Sequence, residues 1–287
     1  MRLIDIRTDA RPVAIARIGL GIATILNAIE AFTILERVSA GYLAAPVFTG
    51  LPALELPWLI AGLVLAIAAG AAVTIGWMTA PAAILTVVLN AAILLADQQA
   101  YSSHRWLATL LMAYLVFARS DSTWAVTRRS HATVPWWPQL LMMSQLSVLY
   151  FFSAVSKMNP TFITGAPLSK WVWIPLPWQL FFMAAVLTVV VELIIAIGLW
   201  FPASRRLAAL LGVGLHISIV VLMNNETFAL VAFAITCVSL YPLFLFRPRL
   251  RGNGGAAEGP EDSPDLAERV HDPDDRRRHD HNEEDRQ

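Results

Sequence analysis

Eight stretches of mostly apolar residues, each approaching the thickness of a bilayer, set the terms for everything else in this chain. In windows of about 19 residues they fall at roughly 12–35, 58–78, 80–97, 103–120, 138–157, 178–200, 206–224 and 227–246. With 57% hydrophobic and 15% charged residues over 287 positions, the chain carries more apolar surface than a soluble domain of its size buries. The expected fold class is all-α: a polytopic integral membrane helical bundle of about eight transmembrane helices, formed by residues 1–250.

The basic residues give this bundle an orientation. Arg2, Arg7 and Arg11 precede the first span, Arg119, Arg128 and Arg129 lie between the fourth and fifth, Arg205 and Arg206 separate the sixth and seventh, and Arg247, Arg249 and Arg251 follow the eighth. With eight spans all of these share one side, against Arg37, Arg105, Lys157 and Lys170 on the other. The positive-inside rule then puts both termini in the cytoplasm, in the cell (plasma) membrane. The charged first 11 residues and the long first span argue against a cleavable signal peptide. From 251 to 287 the composition changes to a charged run with 12 acidic and five basic side chains after Arg251, which reads as a disordered cytoplasmic tail.

Several chemistries have no support. The single cysteine, Cys237, lies in an apolar run and rules out a disulfide framework within one chain. His271, His279 and His281 in the tail make a poor metal signal, and no metal site is expected. No phosphate-binding glycine loop, nucleophile elbow or zinc helix motif occurs, so no nucleotide is expected. The loop 119–138 lacks an extended basic face, which excludes nucleic acid as a partner; its Trp136 and Trp137 read as interfacial anchors, and its His131 as a solvated side chain.

Ionisable residues inside the apolar runs carry the functional signal. A central charge costs about 2.5–3.5 kcal/mol on an insertion scale, so Arg17 and Glu30 in the first span need a face that looks into protein or water. Helix rise brings Glu30, Asp97, His104 and Lys157, from four spans, to one level near the outer face. Singly each reads as an interfacial residue; together they suggest an outward-facing polar pocket. Glu192 and His216 lie deeper and pair with each other or with Arg17, either as a structural contact or as a proton relay or quinone contact.

The stretch Tyr150–Trp173 is the most unusual. An apolar helix ends at Lys157 and breaks into Asn159-Pro160, Gly165 and Pro167 among aromatics, and it holds both of the chain's lysines, Lys157 and Lys170. Lysine, unlike arginine, readily gives up its proton.

Residues 145–168 resemble the central segment of the vitamin K-dependent γ-carboxylase membrane domain and its bacterial relatives, the HTTM (horizontally transferred transmembrane domain) proteins. The Q-x₄-YF-x₅-K pattern falls at Gln145, Tyr150-Phe151 and Lys157, followed by Phe162 and Gly165. Asp97, His104 and Leu107, then Trp124, and the run from His131 to Trp137 are similar in order and spacing, as are Glu192, the turn at 202–206, His216 and Asn224.

That resemblance implies an enzyme of the lyase or oxidoreductase type, with reduced vitamin K or menaquinol as cofactor at an outward-facing pocket. Lys157 would be the base, with His104 assisting, and the chemistry would be hydroquinone oxidation or epoxidation, alone or coupled to carboxylation. Asp97, Tyr150, Phe162, Trp171, Trp173 and His216 would touch substrate or cofactor, while Arg17, Glu30, Gln145 and Glu192 are structural polar groups. Since only a short tail follows the membrane part, a separate protein would recognise the substrate. A lysine base near neutral pH needs a pKa lowered from about 10.4 toward 7–8, which walls formed by Phe151, Phe162, Trp171 and Trp173 could impose, whereas a neighbouring carboxylate would hold the proton on. The alternative is a non-catalytic quinone- or lipid-binding module, or a subunit of a larger complex. A closed pocket with a desolvated Lys157 favours the enzyme; an open lateral groove with an ion-paired Lys157 favours the module. A small-solute transporter is a third, weaker reading.

Overall fold

The computed structural model describes residues 2–42, 44–48, 54–127, 133–223 and 227–246. The chain divides into Met1–Pro248 and Arg249–Gln287. All of the second unit, with His271, His279 and His281, lies outside the described residues, as do Arg128, Arg129, His131, Asn224 and Arg247.

Ten helices occur among the described residues: α1 (Arg11–Ser39), α2 (Leu56–Ile75), α3 (Thr79–Ala96), α4 (Ser103–Leu115), α5 (Trp137–Lys157), α6 (Pro160–Ile163), α7 (Ala166–Trp171), α8 (Trp178–Gly198), α9 (Arg205–Leu222) and α10 (Thr227–Leu245). Proline opens α1, α2 and α5 at positions where a helix has no use for the missing amide. α2 stops at Gly76 in the left-handed conformation, as helix C-termini commonly do. Two short strands, β1 (Arg7–Asp9) and β2 (Thr133–Pro135), pair antiparallel with Thr8 opposite Val134. They tie the start of α1 to the start of α5, and Asp9 accepts from the Arg11 amide at 2.8 Å. Hydrogen bonds from the exposed Arg11 side chain hold the Asp9 carboxyl below its ordinary range.

Seven of these helices, α1, α2, α3, α5, α8, α9 and α10, are long and apolar enough to cross a membrane. The chain is thus a polytopic helical membrane protein. α1 is its centre, packing most extensively on α10 and α2, while α5 packs on α8. Backbones come close where side chains are smallest: a Cβ on Gly70 would lie 2.8 Å from Ile25 and 3.0 Å from the Gly21 carbonyl, whereas one on Gly62 would meet nothing within 4 Å. The small-residue surface expected around 60–72 is therefore a packing surface at Gly70.

The fourth span departs from expectation. The apolar run predicts a helix over 103–120, but α4 ends at Leu115 after 13 residues, about 20 Å of helix against a hydrocarbon core of roughly 30 Å. It nonetheless runs from one end of the bundle to the other. At its start, Asp97 accepts from the amides of Ala45 and Gln99, both at 2.8 Å; at its finish, the Val126 amide donates to Ile75 at the end of α2. The turns flanking α4 therefore lie within the bundle, and two fully buried arginines serve them. Arg105 donates to the Ala100 carbonyl. Arg17 donates to the carbonyls of Ser120 at 2.9 Å and Trp124 at 2.5 Å. Irregular backbone at membrane depth is tolerated only when protein satisfies it, and these guanidiniums do so.

Trp136 also differs from its reading as an interfacial anchor. It is 8% exposed, with its amide bonded to the Ile6 carbonyl, because the β1–β2 pairing folds the N-terminal segment over it. Trp137 stacks on Phe117 with ring centroids 5.6 Å apart.

Two stability effects follow. Arg17→Ala strands buried carbonyls and lowers stability by about 3 kcal/mol, read as a lower thermal midpoint in detergent, whereas Arg11→Ala on the exposed rim leaves it nearly unchanged. Gly70→Leu costs about 1–3 kcal/mol through overpacking while Gly62→Leu is neutral; equal midpoints for the two would refute the packing argument.

Candidate functional site

Tyr150, Ser153 and Lys157 stand at i, i+3 and i+7 along α5 and so share one side of it. They are the spine of two buried polar clusters. At the end of α5, Lys157 Nζ donates to Glu192 Oε1 at 2.7 Å, to Oε2 at 3.0 Å and to Ser153 Oγ at 2.5 Å, and Ser153 Oγ donates to Glu192 Oε1 at 3.0 Å. The Glu192 side chain is 6% exposed and that of Lys157 is 25% exposed. The Phe162 ring lies over the ammonium with its centroid 5.9 Å away.

The chain break after Lys157 holds that ring in place. Asn159 accepts from the Phe162 amide at 2.9 Å and so caps α6. Gly165, at φ +80°, passes so close to the backbone of Phe181 and Phe182 that any Cβ would collide. The lysine, the Asn-Pro break and the glycine thus form one local construction that presses Phe162 against α8.

One to two turns back along α5, the Tyr150 hydroxyl lies 2.7 Å from His216 Nε2 and 2.6 Å from the Tyr241 hydroxyl. All three side chains are buried. Gly212 makes room for them, since a Cβ there would overlap the Tyr241 hydroxyl. His216 Nδ1 is buried and has no hydrogen-bond partner. His216 also lines a groove of about 660 Å³ between α1, α9 and α10, whose other walls include Ile15, Ile18, Ile217, Val220 and Val238. The groove is almost wholly apolar, with His216 and Ser239 its polar side chains.

A third cluster joins α1 and α4. Glu30 Oε2 lies 3.4 Å from His104 Nε2 and 3.2 Å from Arg105, and His104 also meets Ser102 Oγ at 3.2 Å. The Phe233 ring stands between this cluster and the second, 6.3 Å from the His104 ring and 5.4 Å from that of His216.

These contacts revise several expectations. Glu30, Asp97, His104 and Lys157 do not share one set of contacts: Glu30 and His104 meet, Asp97 spends both oxygens on loop amides, and Lys157 pairs with Glu192. Glu192 contacts neither His216 nor Arg17, because α8 packs on α5 and delivers its carboxylate to the lysine one helix away. Trp173 is 60% exposed and donates from its indole to the Val221 carbonyl at 2.8 Å, fastening the segment after α7 to α9. Trp171 is 45% exposed, Phe151 stacks edge-on with Phe152, and Gln145 is half-buried on α5. Of the four proposed walls, only Phe162 has a ring contact with Lys157.

Three participants lacked an advance signal of their role. Arg105 read as a rim charge and Ser153 as a small residue in an apolar run, although its place four residues before Lys157 was available. Tyr241 is an aromatic in the last span with nothing in its surroundings to mark it.

Fold and clusters define a helical membrane protein with several ionisable side chains inside the bundle, among them Arg17, Arg105, Glu192 and His216. Residues 6–248 match the HTTM domain family, and the chain belongs to that family. No solved structure matches it.

The lysine pair has a measurable weight. Glu192→Gln and Lys157→Met each destabilise by about 2–3 kcal/mol, below the 3–5 of a fully buried pair because Lys157 is partly solvated. The double variant Lys157→Met/Glu192→Gln loses less than the sum of the two single variants in thermal melts; strict additivity of the single effects would contradict direct coupling.

Proposed function

We propose that this HTTM protein is a membrane module that binds a reduced isoprenoid quinone, of the vitamin K or menaquinol class, in the groove between α1, α9 and α10. The observation that carries the reading is His216 Nδ1, a buried hydrogen-bonding atom without a partner beside an apolar groove of about 660 Å³. A bound quinol supplies ring hydroxyls for that nitrogen and an isoprenoid tail for the aliphatic walls. The protein's own part is to fix the imidazole. Tyr150 occupies Nε2, Tyr241 holds Tyr150, and the Phe233 ring packs edge-on against it. Whichever tautomer His216 adopts, a ligand that reaches Nδ1 meets it with the complementary donor or acceptor role.

The ion pair favours binding over catalysis. A general base works within about 2.6–3.2 Å of the proton it takes. Lys157, seven residues beyond Tyr150, stands about 10 Å further along α5 and is held by a carboxylate. The second reading, a carboxylase-like enzyme with Lys157 as base and His104 assisting, draws on the Phe162 ring over a partly exposed ammonium; substrate would have to displace Glu192, and a separate protein would present the acceptor. For topology we take α4 with its flanking turns as an eighth passage, since it joins the two ends of the bundle. An even count and the arginine distribution then put both termini in the cytoplasm.

The test is quinone retention. Protein is reconstituted in nanodiscs loaded with menaquinone under reducing conditions, repurified and extracted for chromatography. Wild type retains quinone above protein-free discs, His216→Leu retains about tenfold less, and Ile217→Trp, which fills the groove from an exposed position, blocks retention while melting normally. Wild-type loading no higher than empty discs would sink the proposal. Menaquinol consumed under O₂ and bicarbonate by wild type, and not by Lys157→Ala, would install the enzyme reading in its place.

A further inference from the structure

A second cavity lies at the opposite end of α3 from Asp97, and nothing in the quinol reading uses it. It has a volume of about 220 Å³, and its walls include Met78, Thr79, Arg119, Ser120, Asp121 and Thr127. Unlike the large groove it is mixed in character, with hydroxyls and charge among its walls.

Two buried hydroxyls line it without partners. Thr79 is 4% exposed and Ser120 is 2% exposed, and neither Thr79 Oγ1 nor Ser120 Oγ makes a hydrogen bond. A buried hydroxyl left unpaired is destabilising, so two on residues lining one cavity point to a ligand that pairs with both. Thr79 is also the first residue of α3, an 18-residue helix whose N-terminus has no side-chain cap. Pro81 has no amide and the Ala82 amide bonds to the Met78 carbonyl, so the Thr79 and Ala80 amides and the helix dipole are what favour negative charge there. Arg119 also lines the cavity and brings a positive charge to it. Asp121 also borders the cavity, but Arg17, buried behind Ser120 and bonded to the Ser120 carbonyl, lies within electrostatic reach of that carboxylate and offsets it.

The backbone is held open around the same space. Met78 and Arg119 take left-handed conformations, at φ 46° and 50°, which side chains other than glycine rarely adopt. Thr127 braces the turn by donating to the Gly76 carbonyl at 2.8 Å and accepting from the Met78 amide at 3.4 Å. Trp77, Trp124 and Val126 are exposed at this end of the bundle, as residues at the level of lipid headgroups are.

We propose that the cavity between the N-terminus of α3 and the 119–127 turn is a binding site for a phosphate monoester or free phosphate, held by the Thr79 and Ser120 hydroxyls, the α3 amides and Arg119. The volume admits a phosphate with its first ester carbons and excludes a whole glycerolipid, whose chains would lie outside along the helices. The chemistry is the same for phosphatidic acid in the membrane and for inorganic phosphate in solution, and the experiment separates them.

Full-length protein is prepared in nanodiscs of phosphatidylcholine doped with phosphatidic acid, and lipid retained after release into neutral detergent is counted by native mass spectrometry. In parallel, lipid-depleted protein in neutral detergent is melted with inorganic phosphate or with chloride at equal ionic strength. Retention of phosphatidic acid by wild type, reduced about tenfold in Thr79→Val/Ser120→Ala, supports the site with a lipid as its source. A rise in melting temperature specific to phosphate, lost in the same variant, supports it with a soluble source. Arg119→Gln, which leaves both hydroxyls and the buried packing in place, weakens either response and covers the case in which the double variant does not fold. Wild type that neither retains the lipid nor responds to phosphate overturns the proposal, as does equal binding by wild type and folded variants.

Discussion

The bundle depends on two guanidinium groups that supply hydrogen-bond donors where no water reaches. Arg17 and Arg105 have no exposed surface, and each meets carbonyls of a turn that flanks α4. Arginine suits the task because its planar group presents several donors in fixed directions and does not lose its charge when buried. Take either away and a turn of α4 has to find other donors or move toward solvent. A helix of only 13 residues could then not join the two ends of the bundle. The cost of burying these charges is offset by the backbone they satisfy, which is why Glu30 alone faces Arg105 and no carboxylate hydrogen-bonds to Arg17 among the described residues.

The same economy governs the polar groups along α5. A lysine and a glutamate in hydrocarbon are expensive apart and tolerable together, and the Ser153 hydroxyl completes the triangle. Tyr150, His216 and Tyr241 form a neutral counterpart in which every hydroxyl is engaged and one ring nitrogen is not. That difference separates a finished structural contact from an open one. The lysine cluster has its hydrogen bonds closed on itself; the tyrosine–histidine cluster ends in an atom that still needs a partner and stands beside a groove. Where a membrane interior leaves a polar atom unpaired, occupation by a ligand is the simplest way for it to persist.

Much of this fold was legible in the sequence because bilayer thickness imposes a length on each apolar run. Seven of the eight spans emerge as long helices, and the α2–α3 hairpin and the helix break after Lys157 fall where Gly76 and Asn159-Pro160 put them. The fourth run misled because hydropathy measures apolar content and not regularity: residues 116–118 are apolar but form a turn, and the chain just beyond, at Ser120 and Trp124, is held by a guanidinium over a hundred positions away in sequence. The family was legible through ordered motifs around Lys157, and the match over 6–248 agrees. Partnerships between helices were not. Glu192, His216 and Arg17 were each recognised as intramembrane polar groups, yet depth along a helix does not say which neighbour it faces. That is settled by packing of α8 on α5, of α9 on α8 and α10, and of α2 and α10 on α1, where Gly19, Gly21 and Gly212 let α10, α2 and the Tyr241 ring, respectively, come close.

This distinction bears on what a lysine at that motif position can do. Recognising Lys157 from its spacing identifies the residue, whereas its partner is a carboxylate from α8 that no spacing rule names. The walls expected around it are replaced by Glu192 and Ser153 as hydrogen-bond partners, with the Phe162 face alone over the amine. For Lys157 to act on a bound ring, the ligand would have to compete with two hydrogen bonds to a carboxylate that is itself buried. His216 presents no such competition, because its side chain lines the large groove and its Nδ1 is bonded to nothing. The physical division of labour is therefore between a closed ionic clamp that holds α5 against α8 and, two turns back along α5, Tyr150 and its bond to the His216 imidazole of α9, whose second nitrogen has no partner.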